Sequence, residues 1–297
     1  MKKLLILFLF TSIAFAQSAG ESGLSFLKIG FGARNIAMGD LGVVSADDIT
    51  GAYYNPALMS KYEGPQISIT HNQWIQDVTG EMLGASFELF GLPMGLNLNT
   101  TSVADIEVRT RPGEVQSTFN ANYFFGSLAT GFKFYENLSV GMSVKYLYES
   151  MFANDASGWG FDFGLYYTGL LENVNVGASL RNVGSMEDLR NEATELPTDF
   201  RIGASYDYEL ESITSDLFFN AGYQKYSSSD DNHIHLGAEF LYNDTFALRG
   251  GYITGYESKG LTTGAGITWQ SINFDYAYTP FDYNLGNSHT ISLMYTF

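Results

Sequence analysis

The chain has 297 residues, 15% of them aromatic and only 16% charged, with a formal net charge of −17 and no cysteine. Soluble domains carry about a quarter charged residues, so the aromatic surface here exceeds the charge available to solvate it. The acidic balance excludes the Lys/Arg-rich surface of a nucleic-acid binder, and the absence of thiols excludes a disulfide scaffold, thiolate zinc sites and cysteine nucleophiles.

In chain order, Met1-Lys2-Lys3 is a short basic stretch, Leu4 to Phe15 an apolar run, and Ala14-Phe15-Ala16 an A-x-A cleavage pattern. This predicts a signal peptide over residues 1–16 and a mature chain from Gln17. Loss of Lys2 and Lys3 takes the charge from −17 to −19. The apolar run is too short to span a bilayer as a helix.

Residues 17–65 lack alternation and are interrupted by Gly20, Gly23, Gly30, Gly32, Gly39 and Gly42. Two short helices are expected, one starting at Ser45 ahead of Asp47-Asp48, the other capped by Asn55 with Pro56 at its first position. Lipid does not tolerate unpaired irregular backbone, so this segment belongs in the periplasm or, more economically, inside a barrel as a plug.

Residues 66–297 alternate with period two. Trp159, Phe161, Phe163, Leu165 and Tyr167 share one face, with Gly160, Asp162 and Gly164 on the other. The pattern recurs in segments near 66–76, 80–90, 94–104, 118–134, 138–150, 158–169, 174–184, 198–208, 214–226, 232–242, 245–255, 260–269, 271–279 and 288–297, each of a length suited to a tilted membrane strand. The expected fold is therefore all-β, an antiparallel transmembrane β-barrel of about 14 strands in a Gram-negative-type outer membrane. Connectors after even segments are brief, apart from one around Leu210, and the long ones, 105–117 and 185–197, follow odd segments, which places both ends of the barrel in the periplasm. A sandwich or propeller would not need this aromatic load, and no blade-like repeat is present.

The last segment puts Ile291, Leu293, Tyr295 and Phe297 on one face and Thr290, Ser292 and Thr296 on the other. This is the pattern of a closing strand, with a terminal aromatic of the kind that barrel-assembly machinery reads. Within the lumen, Lys145, Arg181, Arg201 and Arg249 fall on polar strand faces, as do Glu149, Asp162, Glu239 and Asp275. Mixed signs are expected to pair and fill the space, with Arg34 and Asp47 or Asp48 as the plug's candidate links to that network. His233 and His235 with Glu239 form a conceivable metal set, but two imidazoles with no defined third ligand favour plain lumen lining. No nucleophile, metalloprotease or phosphate-cradle motif is present, so neither an enzyme nor a cofactor or metal is expected.

The segment Phe26-Leu27-Lys28-Ile29-Gly30-Phe31-Gly32-Ala33-Arg34-Asn35-Ile36-Ala37-Met38-Gly39-Asp40, followed by Val43-Val44-Ser45-Ala46-Asp47-Asp48 and Tyr53-Tyr54-Asn55-Pro56-Ala57-Leu58, resembles the N-terminal signature of the PorV/PorQ family. Those are outer-membrane barrels associated with type IX secretion, similar in turn to FadL-type transporters of hydrophobic compounds, whose barrels hold an N-terminal hatch with a comparable Asn-Pro-Ala turn. On this resemblance the plug motif comprises Gly32, Ala33, Arg34, Met38, Gly39, Asp47, Asp48, Asn55, Pro56 and Ala57. It implies a non-enzymatic role in exporting or attaching secreted proteins, with secretion-system components and exported client proteins as partners beside the membrane lipid. Two other readings stand: a FadL-like passage for hydrophobic small molecules, and a structural or adhesion barrel with a working acidic rim. Outer loops of about 13 residues, carrying Arg109, Arg111, Glu187, Asp188, Arg190, Glu192 and Glu195, are expected to suit a protein contact better than the enclosure of an acyl chain.

Overall fold

The computed structural model describes residues 23–190, 192–210, 213–229 and 231–297. The expected signal peptide lies outside them. The alternating segments form β1 (Gln66–Gln73), β2 (Val78–Leu89), β3 (Leu92–Val108), β4 (Ser117–Lys133), β5 (Leu138–Met151), β6 (Asn154–Leu171) and β7 (Val174–Met186). After a small hairpin, β8 (Asp188–Leu189) and β9 (Glu192–Ala193), come β10 (Asp199–Leu210), β11 (Ser215–Tyr226), β12 (Asn232–Tyr242) and β13 (Phe246–Ile253). The last three are β14 (Leu261–Trp269), β15 (Ile272–Pro280) and β16 (Asn287–Thr296). Apart from the hairpin, these strands close into one antiparallel barrel of fourteen, in which β7 pairs directly with β10 and β16 with β1.

Closure removes every unpaired edge, which is what lets a sheet sit in lipid. At the seam Gln66 faces Thr296 and Gln73 faces His289, and the Phe297 N–H donates to the Pro65 carbonyl at 3.0 Å. Along β6 the expected faces hold: Trp159, Phe161, Phe163, Leu165 and Tyr167 are exposed, while Gly160, Asp162 and Gly164 are buried. Such surface would be an aggregation hazard in water and is the natural exterior in hydrocarbon. Connections at one end are short, as at 90–91, 172–173 and 270–271, and the longer ones, 109–116, 187–198, 254–260 and 281–286, lie at the other, which is therefore the outer end. Asn243 and Asp244, at φ 51° and 49°, supply the left-handed turn between β12 and β13.

The N-terminal segment fills the lumen. It contains a 3-10 turn (Ser25–Lys28), α1 (Ala33–Ala37), α2 (Gly51–Tyr54) and a 3-10 helix (Pro56–Lys61). The main apolar core lies between this plug and the wall: Leu27, Phe31, Leu41, Val43, Tyr53, Tyr54 and Ala57 pack with Phe125, Leu147 and Tyr166. Asn55 caps the second 3-10 helix, accepting from the Ala57 N–H at 3.1 Å, while its amide donates to Val43 at 2.8 Å and to Leu165 of β6 at 2.9 Å. The wall makes room for this turn with glycine: a Cβ at Gly131 or Gly141 would come within 2.3 Å of Pro56 or Ala57 backbone, and one at Gly164 within 2.0 Å of the Asn55 side chain.

One expected helix is displaced. It begins at Gly51 rather than Ser45, because the Asp48 carboxylate accepts from both the Thr50 N–H and hydroxyl and turns the chain there. The five-residue α1, not expected from the sequence, is bracketed by Gly32 and Gly39, both at positive φ.

The seam generates a test. Deleting Phe297 removes its bond to Pro65 and its edge contact with the Tyr295 ring at 4.8 Å. The truncated chain is expected to assemble at reduced yield, read as loss of the heat-modifiable band on gels; wild-type yield would show that this residue does not matter for closure.

Candidate functional site

The lumen-facing charges meet in three groups. On the β5–β7 side, Lys145 Nζ lies 2.8 Å from Asp162 and donates to Asn182 at 2.7 Å, with Lys145 and Asp162 both fully buried. A β-bulge makes this possible: Phe161 pairs with Val183 and Phe163 with Leu180, so Arg181 and Asn182 share the space opposite Asp162 and both are buried inside. In the second group Asp199 holds Arg201 at 2.7 Å and lies 3.8 Å from Arg181, and Gln224 donates to it at 2.8 Å. In the third, Glu239 binds Arg249, which also reaches Asp275 at 2.5 Å.

The plug is tied into each group. Arg34 donates to Glu239 at 2.8 and 3.0 Å, to Asp47 at 2.8 Å and to the Ser45 carbonyl at 2.7 Å. Arg201 donates to the Asp40 carbonyl at 2.9 Å, and the Arg181 guanidinium lies 4.4 Å from the Tyr53 ring centre. Lys145 lies 5.5 Å from that same ring. Asp48, the other candidate link, stays within the plug on Thr50. Glu149 accepts from Thr194 in the outer loop and joins none of these groups.

The remaining motif residues position backbone. Gly32 caps α1, the Ala33 N–H donates to Ser292 of β16 at 2.9 Å, and Met38 is fully buried where α1 ends. At Gly39, φ 78°, a side chain would also collide with the Leu236 carbonyl of β12 at 2.6 Å. Pro56 and Ala57 form the turn held by Asn55. His235 bonds the Gly39 carbonyl at 2.6 Å and Gln224 at 3.1 Å, while His233 bonds Thr254. No group of three or more metal-ligating side chains occurs among the described residues.

Cavities flank the plug at both ends. The outer one, about 580 Å³, is bounded by Phe26 and Ile29 of the plug, Trp74, Val78, Val103 and Tyr123 of the wall, and Tyr256, Lys259 and Phe281 of inward-folded loops. Lys259 sits 5.0 Å from the Trp74 ring centre and 4.4 Å from that of Tyr256, and burial lowers its ammonium pKa. The periplasmic one, about 410 Å³, is polar, with Arg34, Asp47, Lys61, Asp207, Asp216 and Glu239 on its walls. The outer loops are expected to suit a protein contact better than the enclosure of an acyl chain; here barrel wall and plug, rather than the loops, build most of the outer enclosure.

Several of these residues escaped the sequence reading. Asp199 was within reach, since alternation with Phe200 turns it inward. Asn182 was not, because a bulge breaks the alternation. Tyr53, Asp40 and Trp74 have no periodic signature.

Burial pushes the Asp48 carboxyl up to about 6, and the neighbouring Asp47 carboxylate adds to this while the Thr50 hydrogen bonds oppose it. A carboxyl raised on docking favours the docked plug at low pH, fully below its ordinary value of 3.8, and this contribution is lost as pH rises through about 6. A cysteine at Ala52, labelled relative to one at exposed Glu114, should become more accessible between pH 4 and 7, with the change absent in Asp48→Asn. An identical pH response in both would assign it elsewhere.

Solved structures share this architecture. The toluene transporter TbuX of Ralstonia pickettii aligns over 90% of this chain and 98% of its own at 14% identity and TM-score 0.63. The Pseudomonas putida toluene transporter TodX covers 89% and 96% at 14% identity and TM-score 0.60, and a Pseudomonas aeruginosa FadL homologue 89% and 98% at 11% and 0.53. No family model and no curated protein matches the sequence. At such identities the likeness is one of fold: a FadL-like, plugged, fourteen-stranded barrel of the outer membrane.

Proposed function

We propose that the protein is an outer-membrane passage for small hydrophobic molecules and that the cavity above the plug is its capture site. The observation that carries this reading is the cavity itself: about 580 Å³, concave and lined mainly by aromatic and aliphatic side chains, with Lys28, Glu149 and Lys259 as its charged groups. Binding pockets for small molecules are commonly about 300–1,000 Å³ and mostly apolar. The neighbours described as toluene transporters support the same reading. The secretion reading rests on the resemblance of residues 26–58, and its charged rim, where Arg109 of the outer loop pairs with Glu107 at the end of β3, carries no feature that singles out a protein partner.

The test uses intact Gram-negative cells and N-phenylnaphthylamine, an apolar fluorophore that an intact outer leaflet excludes. Cells producing the protein should take it up faster than cells without it. Trp74→Ala and Phe26→Ala should each weaken binding to the purified protein, roughly fivefold for loss of one aromatic contact. Unchanged uptake on production of the protein, with lowered release of exported clients on its deletion, would return the secretion reading.

A further inference from the structure

The connection between β13 and β14 folds into the mouth of the barrel and is fixed there by backbone bonds. The Ile253 N–H donates to the Gly260 carbonyl at 2.9 Å and the Asp282 N–H to the Ser258 carbonyl at 2.8 Å, while Lys259 pairs with Phe281 as an antiparallel bridge. Ser258 and Lys259 thereby become part of the wall of the outer cavity.

The Lys259 ammonium is held between two rings, 5.0 Å from the Trp74 centre and 4.4 Å from that of Tyr256. Each ring is backed by another: His233 stacks on Tyr256 at 3.9 Å, and Phe281 meets Trp74 edge-on at 5.1 Å. Ring faces attract a cation but accept none of its three hydrogen bonds in the way an oxygen does. Among the described residues no carboxylate pairs with this ammonium and no acceptor bonds it. Asp40 acts on it only through space, since the Asp40 carboxylate is taken by the Tyr54 hydroxyl at 2.5 Å. The charged groups on the cavity wall are two cations, Lys28 and Lys259, against one acid, Glu149, in a chain whose net charge is −17. Glu149 is already accepting from Thr194.

We infer that the molecule captured in this cavity is an aromatic monocarboxylate, with its ring among Phe26, Trp74, Tyr123 and Phe281 and its carboxylate accepting from Lys259. The inference rests on the capture reading above and adds the class of ligand to it.

The charge selects the carboxylate. A wall that served only a neutral hydrocarbon would be better lined by an apolar side chain at this position, because the cost of drawing an ammonium out of water is returned by no neutral ligand. A carboxylate returns it through a charge-assisted hydrogen bond in an enclosure where water competes little. A cationic ligand would meet Lys259 as a like charge. The walls select the ring. Flat side chains at the cavity give an aromatic ligand edge-to-face and offset contacts. Beneath them the lumen narrows to a cleft of about 20 Å³ whose lining includes Thr70, Asn72, Asn99 and Thr101. An extended acyl chain would run on into those polar groups, whereas a compact ring system stays above them.

Ligand competition tests the assignment. Purified protein in a non-ionic detergent is loaded with N-phenylnaphthylamine, which is then displaced at neutral pH by 2-naphthoate, by its neutral isostere 2-naphthamide, or by decanoate. Wild-type protein should bind 2-naphthoate roughly tenfold or more tightly than 2-naphthamide, as one hydrogen bond to a charged group predicts, and more tightly than decanoate. In Lys259→Met the ratio of the two naphthyl affinities should fall to near one, and in Lys259→Arg, which keeps the charge, it should persist. The ratio is read within each variant, so a general change in packing cancels, and the heat-modifiable band shows that each is folded. Equal naphthyl affinities in wild type, or a preference that survives Lys259→Met, would overturn the role of Lys259 while N-phenylnaphthylamine binding leaves the capture reading standing. Decanoate bound as tightly as 2-naphthoate would overturn the aromatic class. If wild-type protein does not bind N-phenylnaphthylamine or either naphthyl compound, the capture site and this inference fall together.

Discussion

Everything in this molecule answers to the hydrocarbon outside it. Backbone groups in lipid must be satisfied within the protein, and outward side chains must be apolar, so each strand is left one direction in which to point a polar group. The lumen therefore collects Lys145, Asp162, Arg181, Asp199, Arg201, Glu239, Arg249 and Asp275, several of them almost completely buried. Unpaired, each of these charges would be costly, and the effective penalty for a buried ion is several kcal/mol. The pairing pattern of the lumen is the answer to that cost, and the plug is part of the pairing.

The plug is not uniformly held. Its centre is pinned by bonds that leave a buried group stranded if broken: Asn55 to Val43 and Leu165, Arg201 to the Asp40 carbonyl, and the Tyr54 hydroxyl to the Asp40 carboxylate at 2.5 Å. Loss of one partner in such a set costs the full desolvation of the other. Its periplasmic turn, by contrast, uses Arg34, whose other partner Glu239 is already paired with Arg249, and Asp47, whose side chain is 53% exposed. A plug built this way yields at one corner before it yields as a whole.

The same economy explains the glycines. Where plug backbone meets the wall, at Gly131, Gly141 and Gly164, the missing Cβ lets the Asn-Pro-Ala turn lie against the strands. At Gly84 a Cβ would lie 3.1 Å from Ile49 Cγ1 and at Gly95 2.6 Å from the Ala52 Cβ, so there too the missing side chain makes room for the plug.

What the sequence by itself determined is whatever depends on neighbours along the chain. Period-two alternation specified fourteen strands within a few residues of their ends, their lipid faces, the inward aim of the charges and, through Asn55-Pro56-Ala57, the capped turn of the plug. Tertiary structure decided what depends on residues far apart in sequence: that Arg34 meets Glu239 across 205 positions, that a bulge at Arg181 and Asn182 crowds both against Asp162, that short loops still leave a large apolar cavity, and that Ile49 faces Gly84. Alternation says which way a side chain points; only strand register and the path of the plug through the lumen say what it finds there.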